Sequence, residues 1–329
     1  MKKIYLCENE NNIRDIYSKE VMEKLNCYNG VFSYNAVKNS PELFADTEYI
    51  FSTWGMPAFS EEEIRKIFPN LKCVFYAAGS VQSFATPFLR CGVRVFSAWA
   101  ANAVPVAEYT VSQILLANKG FFPLCLKQSR GDLDGANKIR ASFCGNYDAK
   151  VGLIGIGMIG GKVAEMLRAS KLQVLAYDPF LSDQRAEELG IRLVSLEELF
   201  EECQVISNHL ANNEQTRGLL NYCLFSKMRT NAVFINTGRG AQVVEDDLAR
   251  VLKERPDLYA LLDVTDPEPP IKNHNFYKLE NCLLTPHIAG SLGNEVHRMA
   301  EYMADEYNRY VSNLPCKYEV FEKMLKTMA

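Results

Sequence analysis

A glycine-rich turn near the middle of the chain constrains the fold more than any other feature of the sequence. The apolar run 151–154 leads into Gly155, Gly157 and Gly160, spaced as G-x-G-x-x-G, and a helical pattern follows at 162–168. The first glycine allows a sharp turn, the second lets the backbone approach a pyrophosphate, and the third permits close contact between helix and strand. A strand, turn and helix in this order predict a dinucleotide-binding crossover.

The strand after this helix predicts which dinucleotide is bound. Its pattern at 172–177 ends in Asp178, about 18 residues after Gly160. A carboxylate at this place accepts hydrogen bonds from the ribose hydroxyls and repels a 2′-phosphate. The unpaired N–H groups and the positive dipole at the helix N-terminus face the phosphates. We therefore predict NAD rather than NADP as the cofactor.

Length, charge and cysteine pattern limit the classes of protein to which the chain can belong. Its 329 residues predict about two domains, and a net charge of −4 with a pI near 5.8 gives no basic surface for nucleic acid or anionic membrane. Ten cysteines are scattered singly, so neither a disulfide framework nor a metal site is expected. No apolar run is long enough to span a bilayer. We expect a cytoplasmic protein.

Strand and helix patterns alternate on both sides of the glycine turn. Short β runs precede it at 3–7, 49–53, 71–76 and 93–96. Others follow it at 204–207, 232–235, 259–262 and 282–284. This alternation predicts two lobes, each a parallel sheet with flanking helices. Long helices are predicted at 105–118, with Pro105 at the start, and at 294–312, whereas the polar segment 129–135 is expected to be an exposed excursion.

Side chains that can do chemistry follow three of the later strands. Arg239, Glu268 and His287 come after strands whose carboxyl ends meet at one edge of a parallel sheet. A guanidinium can hold a carboxylate or polarise a carbonyl, and an imidazole paired with a carboxylate can move a proton near neutrality. With a nicotinamide, these groups supply what reversible reduction of a 2-oxo acid requires.

Each of these side chains also has a structural interpretation. Arg239 alone could be a surface or helix-capping charge, and Glu268, between two prolines, could be a solvated turn residue. His209 could simply border the cofactor cleft. His274 lies in a polar loop and His297 on a helix, both without an obvious partner.

Taken in order along the chain, these residues closely resemble the D-isomer-specific 2-hydroxyacid dehydrogenase family. The resemblance rests on the glycine turn, on Asp178 and His209, on the segments 236–240, 262–264 and 268–269, on 285–287, and on the helix at 102–109. It implies an oxidoreductase in which His287 is the general acid and base, Glu268 its partner, and Arg239 the group that binds the substrate carboxylate and oxo oxygen. It also implies a homodimer and a small 2-oxo or 2-hydroxy acid as substrate.

The resemblance further implies a domain arrangement and the remaining site residues. A flavodoxin-like substrate-binding domain would comprise 1–101 and 291–329, with an NAD-binding Rossmann domain at 102–290 inserted into it. Asp263 would hold the nicotinamide end of the cofactor, Met158 and Ile159 would present N–H groups to its pyrophosphate, and Thr237 and His209 would line its path. The cofactor-binding residues would thus be Gly155, Gly157, Met158, Ile159, Gly160, Asp178, His209, Thr237 and Asp263.

On the substrate side the chain departs from the family pattern. Backbone near Ala78 and Gly79 would hold the substrate carboxylate, but the loop 77–84 keeps one glycine and neither of the usual aspartates. Trp54 could be a wall of the substrate pocket or a core or hinge residue.

Two rival functions remain open. A formate-type dehydrogenase normally has an amide in place of the catalytic carboxylate, so Glu268 argues against it. The other rival is a non-enzymatic NAD(H)-sensing binding protein on the same fold.

Overall fold

The computed structural model describes residues 2–27 and 30–326. It divides into two compact units, the first formed by the chain up to Asn102 and from Ser291 onward, and the second by Ala103–Gly290. Positions 1, 28, 29 and 327–329, which the predicted substrate-binding domain includes, lie outside the described residues. The functions assigned to the two domains stay predictions at this point.

The strands of the described residues are short. In chain order they are β1 (Lys2–Leu6), β2 (Val31–Phe32), β3 (Thr47–Ser52), β4 (Cys73–Tyr76), β5 (Arg94–Ser97), β6 (Tyr147–Ile154), β7 (Lys171–Tyr177), β8 (Arg192–Leu193), β9 (Val205–Asn208), β10 (Val233–Asn236), β11 (Tyr259–Leu262), β12 (Cys282–Leu284) and β13 (Glu319–Val320). Strands such as β4, β9 and β10 are buried along their whole length, as expected for parallel sheets covered by helices on both faces.

The helices connect these strands. The α-helices are α1 (Glu10–Ile16), α2 (Lys19–Leu25), α3 (Tyr34–Asn39), α4 (Glu61–Ile67), α5 (Ala85–Arg90), α6 (Trp99–Asn118), α7 (Phe121–Ser129), α8 (Leu133–Arg140), α9 (Met158–Leu167), α10 (Asp183–Leu189), α11 (Leu196–Glu202), α12 (Tyr222–Phe225), α13 (Glu245–Glu254) and α14 (His297–Val311). Short 3₁₀ turns lie at Pro41–Leu43, Gly240–Gln242, Asn275–Lys278, Gly293–Val296 and Glu322–Lys326.

The sheet of the first unit has the strand order β13-β5-β4-β3-β1-β2. Its five parallel strands follow the flavodoxin order, which confirms the predicted fold of this unit. Phe51, Phe75 and Phe96 stack across β3, β4 and β5 with ring centroids 5.2 and 4.9 Å apart. Tyr307 of α14 packs edge-on against the first two rings. An aromatic core therefore joins the helix near the C-terminus to this sheet.

The sheet of the second unit is parallel throughout, in the order β12-β11-β10-β9-β6-β7-β8. This is the doubly wound Rossmann order, and it confirms the predicted fold class. One apolar cluster covers the face packed against α6, α9 and α10, and another covers the face packed against α11, α12 and α13. The order reverses between β6 and β9, so ligands are expected beyond the carboxyl ends of these strands.

Two local predictions are corrected by the structure. Pro105 lies inside α6 rather than at its start, because the alanine-rich segment from Trp99 already forms helix and the proline costs it one backbone hydrogen bond. The segment 129–135 is exposed as predicted, but it contains the end of α7 and the start of α8, which begins at Leu133 with Asp132 accepting the N–H of Gly135 at 2.8 Å.

The chain after α14 supplies an edge strand that the sequence pattern did not predict. β13 pairs antiparallel with β5, and Arg94 of β5 donates two hydrogen bonds to Glu319, at 2.7 and 2.6 Å. The first sheet is therefore parallel except at this edge. Among the described residues no helix combines the length and apolar character needed to cross a membrane.

Candidate functional site

The glycine turn lies between β6 and α9, as predicted. Gly155 has φ +86°, a conformation that glycine adopts without steric cost. A Cβ on Gly160 would lie 2.0 Å from the carbonyl oxygen of Gly155, so only glycine lets the helix come this close to the turn. Because α9 begins at Met158, the N–H groups of Met158 and Ile159 lie in its first turn, where no helical carbonyl accepts them. The turn therefore fits a bound pyrophosphate.

Gly157 and Asp178 complete this edge of the sheet. A Cβ on Gly157 would meet no described atom within 4 Å, which leaves the backbone open to a ligand. The Asp178 carboxylate accepts the N–H of Ile156 at 2.7 Å and the N–H of Phe180 at 2.8 Å, one on each oxygen. Each oxygen can accept a second hydrogen bond, so Asp178 keeps the capacity to bind ribose hydroxyls.

Replacing Gly160 with alanine should weaken NADH binding at least tenfold and lower the free energy of unfolding by about 1–3 kcal/mol, because the new Cβ overlaps rigid backbone. Gly161→Ala is the matched control, since a Cβ there would meet nothing within 4 Å. Fluorescence titration with NADH measures the affinity, and urea unfolding measures the free energy of unfolding. Equal NADH affinities for the two variants would contradict the close approach of α9 to the turn.

His209 follows β9 and is buried in a row of hydroxyl groups. Its Nε2 lies 3.0 Å from Oγ of Ser207, and its Nδ1 lies 3.5 Å from Oγ1 of Thr237. The Thr237 hydroxyl in turn lies 3.3 Å from that of Thr110 on α6. Burial lowers the pKa of His209 to about 4. The imidazole is therefore neutral near pH 7, and it can line a cofactor path without serving as the acid.

The pKa of His209 predicts a pH dependence of stability. Because the folded-state value of about 4 lies below the ordinary value of 6.5, the unfolded chain binds the proton more tightly. The stabilisation is complete above pH 6.5 and is lost as the pH falls toward 4, by about 3 kcal/mol in all. In urea unfolding, His209→Gln should flatten the pH dependence over this window, with His297→Gln as the control. Equal slopes for wild type and His209→Gln would refute this assignment.

Three buried amide side chains hold the turn that carries Arg239. Gln242 Oε1 accepts the N–H of Arg239 at 3.1 Å and Nδ2 of Asn208 at 2.6 Å, and Gln242 Nε2 donates to the carbonyl of Leu210. Asn236 Nδ2 donates to the carbonyl of Arg239 at 3.1 Å. Both backbone polar groups of Arg239 are thus fixed. The sequence analysis assigned no role to Asn208, Asn236 or Gln242, although Asn208 and Asn236 end apolar strands, which is a signal for residues near a site.

The Arg239 side chain is half-buried at this edge. Its Nη1 donates to the carbonyl of Gly238 at 2.7 Å. Burial lowers the pKa of the guanidinium, and the negative charge of Glu268 opposes that shift. Because arginine is not deprotonated in proteins, the side chain stays charged. The structure therefore brings Arg239 close enough to Glu268 for their charges to interact.

Asp263 holds the loop that carries His287. Its Oδ1 accepts the Thr285 hydroxyl at 2.6 Å and the N–H of Ile288 at 2.8 Å, and its Oδ2 accepts the N–H of Ala289 at 2.9 Å. The Thr285 oxygen also lies 3.1 Å from the hydroxyl of Tyr109. Asp263 thus holds the loop of residues 285–289 in place through its own hydrogen bonds. The sequence analysis did not predict this role. Oδ2 keeps capacity for a further donor such as a nicotinamide carboxamide.

His287 and Glu268 form the pair expected from the sequence. Nδ1 of His287 lies 2.5 Å from Oε1 of Glu268. His287 has φ +53°, a costly conformation for a residue with a Cβ, and its N–H donates to the carbonyl of Asp263 at 3.0 Å. A carboxylate only accepts, so Nδ1 carries a hydrogen and Nε2 is left as the nitrogen that faces away from Glu268. The imidazole is 46% exposed, so this nitrogen is accessible.

The predicted substrate-side residues lie in the first unit, at the carboxyl ends of β3 and β4. The Trp54 carbonyl accepts a hydrogen bond from Nδ2 of Asn12 at 2.7 Å, and the residue is 43% exposed, so Trp54 is not a core residue. The carbonyls of Ala78 and Gly79 accept the hydroxyl of Ser97. The sequence analysis predicts that the backbone near Ala78 and Gly79 holds the substrate carboxylate, for which the N–H groups are the available donors. That role stays a prediction.

Comparison with known proteins points to one family. Residues 111–289 match the model of the NAD-binding domain of D-isomer specific 2-hydroxyacid dehydrogenases. The chain is 29% identical over 263 residues to the D-3-phosphoglycerate dehydrogenase of Archaeoglobus fulgidus, covering 79% of this chain and 49% of that protein. It is 31% identical over 230 residues to the formate dehydrogenase of Chaetomium thermophilum, covering 67% of this chain and 62% of the relative.

Solved structures of other proteins share the fold of this chain. A phosphoglycerate oxidoreductase from Rhizobium etli superposes with a TM-score of 0.81 at 20% identity, covering 98% of this chain and 99% of the other. Identity this low supports the fold alone. The chain spans about half the length of the curated phosphoglycerate dehydrogenases that it matches.

Proposed function

Because the chain belongs to the family of D-isomer specific 2-hydroxyacid dehydrogenases, we propose that it reduces a 2-oxo acid to a D-2-hydroxy acid and catalyses the reverse oxidation. The observation that carries this proposal is the 2.5 Å contact between Glu268 and His287, within reach of the charge of Arg239. All three residues follow strands of the second unit, at the edge where the glycine turn also lies.

In the proposed mechanism Arg239 binds the substrate. Its guanidinium donates to the substrate carboxylate and to the oxo oxygen, which polarises the carbonyl. The buried amides around Gln242 fix the backbone that carries this side chain, so the turn needs little ordering when substrate binds. Arg239 also stabilises the negative charge that develops on the oxo oxygen during reduction.

His287 delivers the proton in this mechanism. Nε2 donates to the forming alkoxide during reduction and accepts the proton back during oxidation. Glu268 orients the ring through Nδ1 and stabilises the imidazolium form. The cofactor would be held by the glycine turn, Asp178, Thr237, His209 and Asp263. NADH supplies the hydride for this reduction when it is bound.

A panel of substrates tests the proposal. Purified protein is mixed with NADH and, in turn, with 2-oxo acids that carry small, apolar, aromatic or acidic side chains, while the absorbance of NADH is followed. Oxidation with one class supports the proposal and identifies the substrate side chain. NADH binding without oxidation by any member would instead indicate an NAD(H)-sensing protein, and reduction of NAD by formate would indicate a formate dehydrogenase.

The homodimer that the family likeness implies belongs to the same proposal. Sedimentation equilibrium measures it directly, and a mass near 37.2 kDa would mean a monomer.

A further inference from the structure

A largely buried acid and histidine outside the catalytic residues hold the segment that carries Glu268. Glu245 is the first residue of α13, and its Oε2 lies 3.0 Å from Nε2 of His274. Both side chains are only 11% exposed. Oε1 of Glu245 accepts the N–H of Asp266 at 3.0 Å, two residues before Glu268. Glu245 therefore connects α13 to the backbone that positions the catalytic carboxylate.

His274, which has no obvious partner in the sequence, is oriented from both sides. Its Nδ1 accepts the N–H of Phe276 at 3.3 Å, and the two rings lie 4.6 Å apart. Nδ1 can accept this bond only without a hydrogen, so Nε2 carries the hydrogen and donates to Glu245. Each carboxylate oxygen of Glu245 thus has its own donor. A glutamine at this position has one acceptor oxygen and could satisfy only one of them.

The turn that carries Arg239 packs against the peptide bond between Thr265 and Asp266, whose N–H Glu245 accepts. A Cβ on Gly240 would lie 2.0 Å from the carbonyl carbon of Thr265 and 2.4 Å from the nitrogen of Asp266. Glycine is therefore required for the Arg239 turn to pack against this peptide. The peptide between Thr265 and Asp266 is fixed by Gly240 on one side and by Glu245 on the other.

We propose that Glu245, oriented by His274, is a positioning residue that sets the place of the Glu268 carboxylate against His287. This inference rests on the proposed function, since it concerns proton delivery by His287. The hydrogen bonds of Glu245 go to His274 and to the backbone of Asp266 rather than to these two side chains, so it acts through the backbone of 266–268.

Glu245→Gln tests the inference. We expect turnover to fall about 10- to 100-fold, as is typical when the support of a catalytic group is lost, while the dissociation constant for NADH stays within about twofold. The solvent deuterium isotope effect on turnover should rise, because proton transfer from a displaced pair becomes slower relative to hydride transfer. Asp246→Asn is the matched control, as it removes the same charge from the exposed neighbouring residue of α13. Unchanged turnover in Glu245→Gln would overturn the inference.

A double-mutant cycle shows whether Glu245 acts through Glu268. When Glu268 is already replaced by glutamine, Glu245→Gln should lower turnover by less than about twofold. If Glu245→Gln instead lowered turnover by a loss of structure, the fold-decreases in turnover of the two substitutions would multiply in the double variant. Fully multiplicative effects would therefore overturn the inference, and thermal unfolding of each variant identifies those that do not fold.

The failure of this inference and the failure of the proposed function are distinguishable. If the wild-type protein does not oxidise NADH with any 2-oxo acid of the panel, the proposed function is contradicted. Amide hydrogen exchange at Asp266 reports the contact with Glu245 without any activity, and it should be faster in Glu245→Gln than in Asp246→Asn. Equal exchange rates in the two variants would contradict the positioning contact itself.

Discussion

Replacing His287 with alanine should lower the turnover of 2-oxo acid reduction by about 10²- to 10⁴-fold and leave NADH affinity nearly unchanged. The variant keeps the glycine turn and Asp178 but loses the nitrogen that faces away from Glu268 and delivers the proton. Steady-state kinetics with the best substrate of the panel and fluorescence titration with NADH measure the two quantities.

The control for this prediction is His297→Ala. His297 lies on α14 in the first unit, where its Nδ1 is 3.1 Å from the carbonyl of Ile16. Its loss should leave turnover unchanged. If His287→Ala turned over at the wild-type rate, His287 would have no part in the reaction.

Replacing Arg239 with glutamine should lower kcat/KM by about 10²- to 10⁴-fold. The substitution removes two charge-assisted hydrogen bonds to the substrate, each of which contributes about 1.5–3 kcal/mol. The turn itself should remain, because Gln242 and Asn236 bind the backbone of residue 239 rather than its side chain. Kinetics at subsaturating substrate measure the ratio.

Arg250→Gln is the matched control for this second variant. Arg250 is an exposed arginine on α13 that pairs with Glu254 at 2.8 Å. Its replacement should leave kcat/KM within about twofold of wild type, as expected for the loss of a surface ion pair. A similar kcat/KM for Arg239→Gln would remove the guanidinium from substrate binding.

The sequence predicted the fold where the pattern of apolar residues was local. Buried strands such as β4 and β10 are short apolar runs bounded by polar residues, so their periodicity and length sufficed. β13 could not be predicted in this way, because a two-residue strand has no periodicity and its place depends on pairing with β5. The start of α6 differs from the prediction because proline favours the first turn of a helix, whereas the alanine-rich segment from Trp99 already forms helix before Pro105.

The candidate site was predictable where chemistry follows a strand end. Arg239, Glu268 and His287 each occupy such a position, and parallel strands bring their carboxyl ends to one edge of the sheet. The residues that support them were not predictable, because Gln242 and Glu245 bind backbone groups of segments that are distant in sequence. Only the folded geometry shows which backbone donor or acceptor each of these side chains meets.

The most direct test of the account is the fate of the hydride. NADH that carries deuterium at both C4 positions is incubated with the protein and the best 2-oxo acid of the panel. The product is resolved by chiral chromatography, and its mass is measured by mass spectrometry. We predict the D-2-hydroxy acid with one deuterium at C2. The L-enantiomer, or a product without the label, would contradict the account.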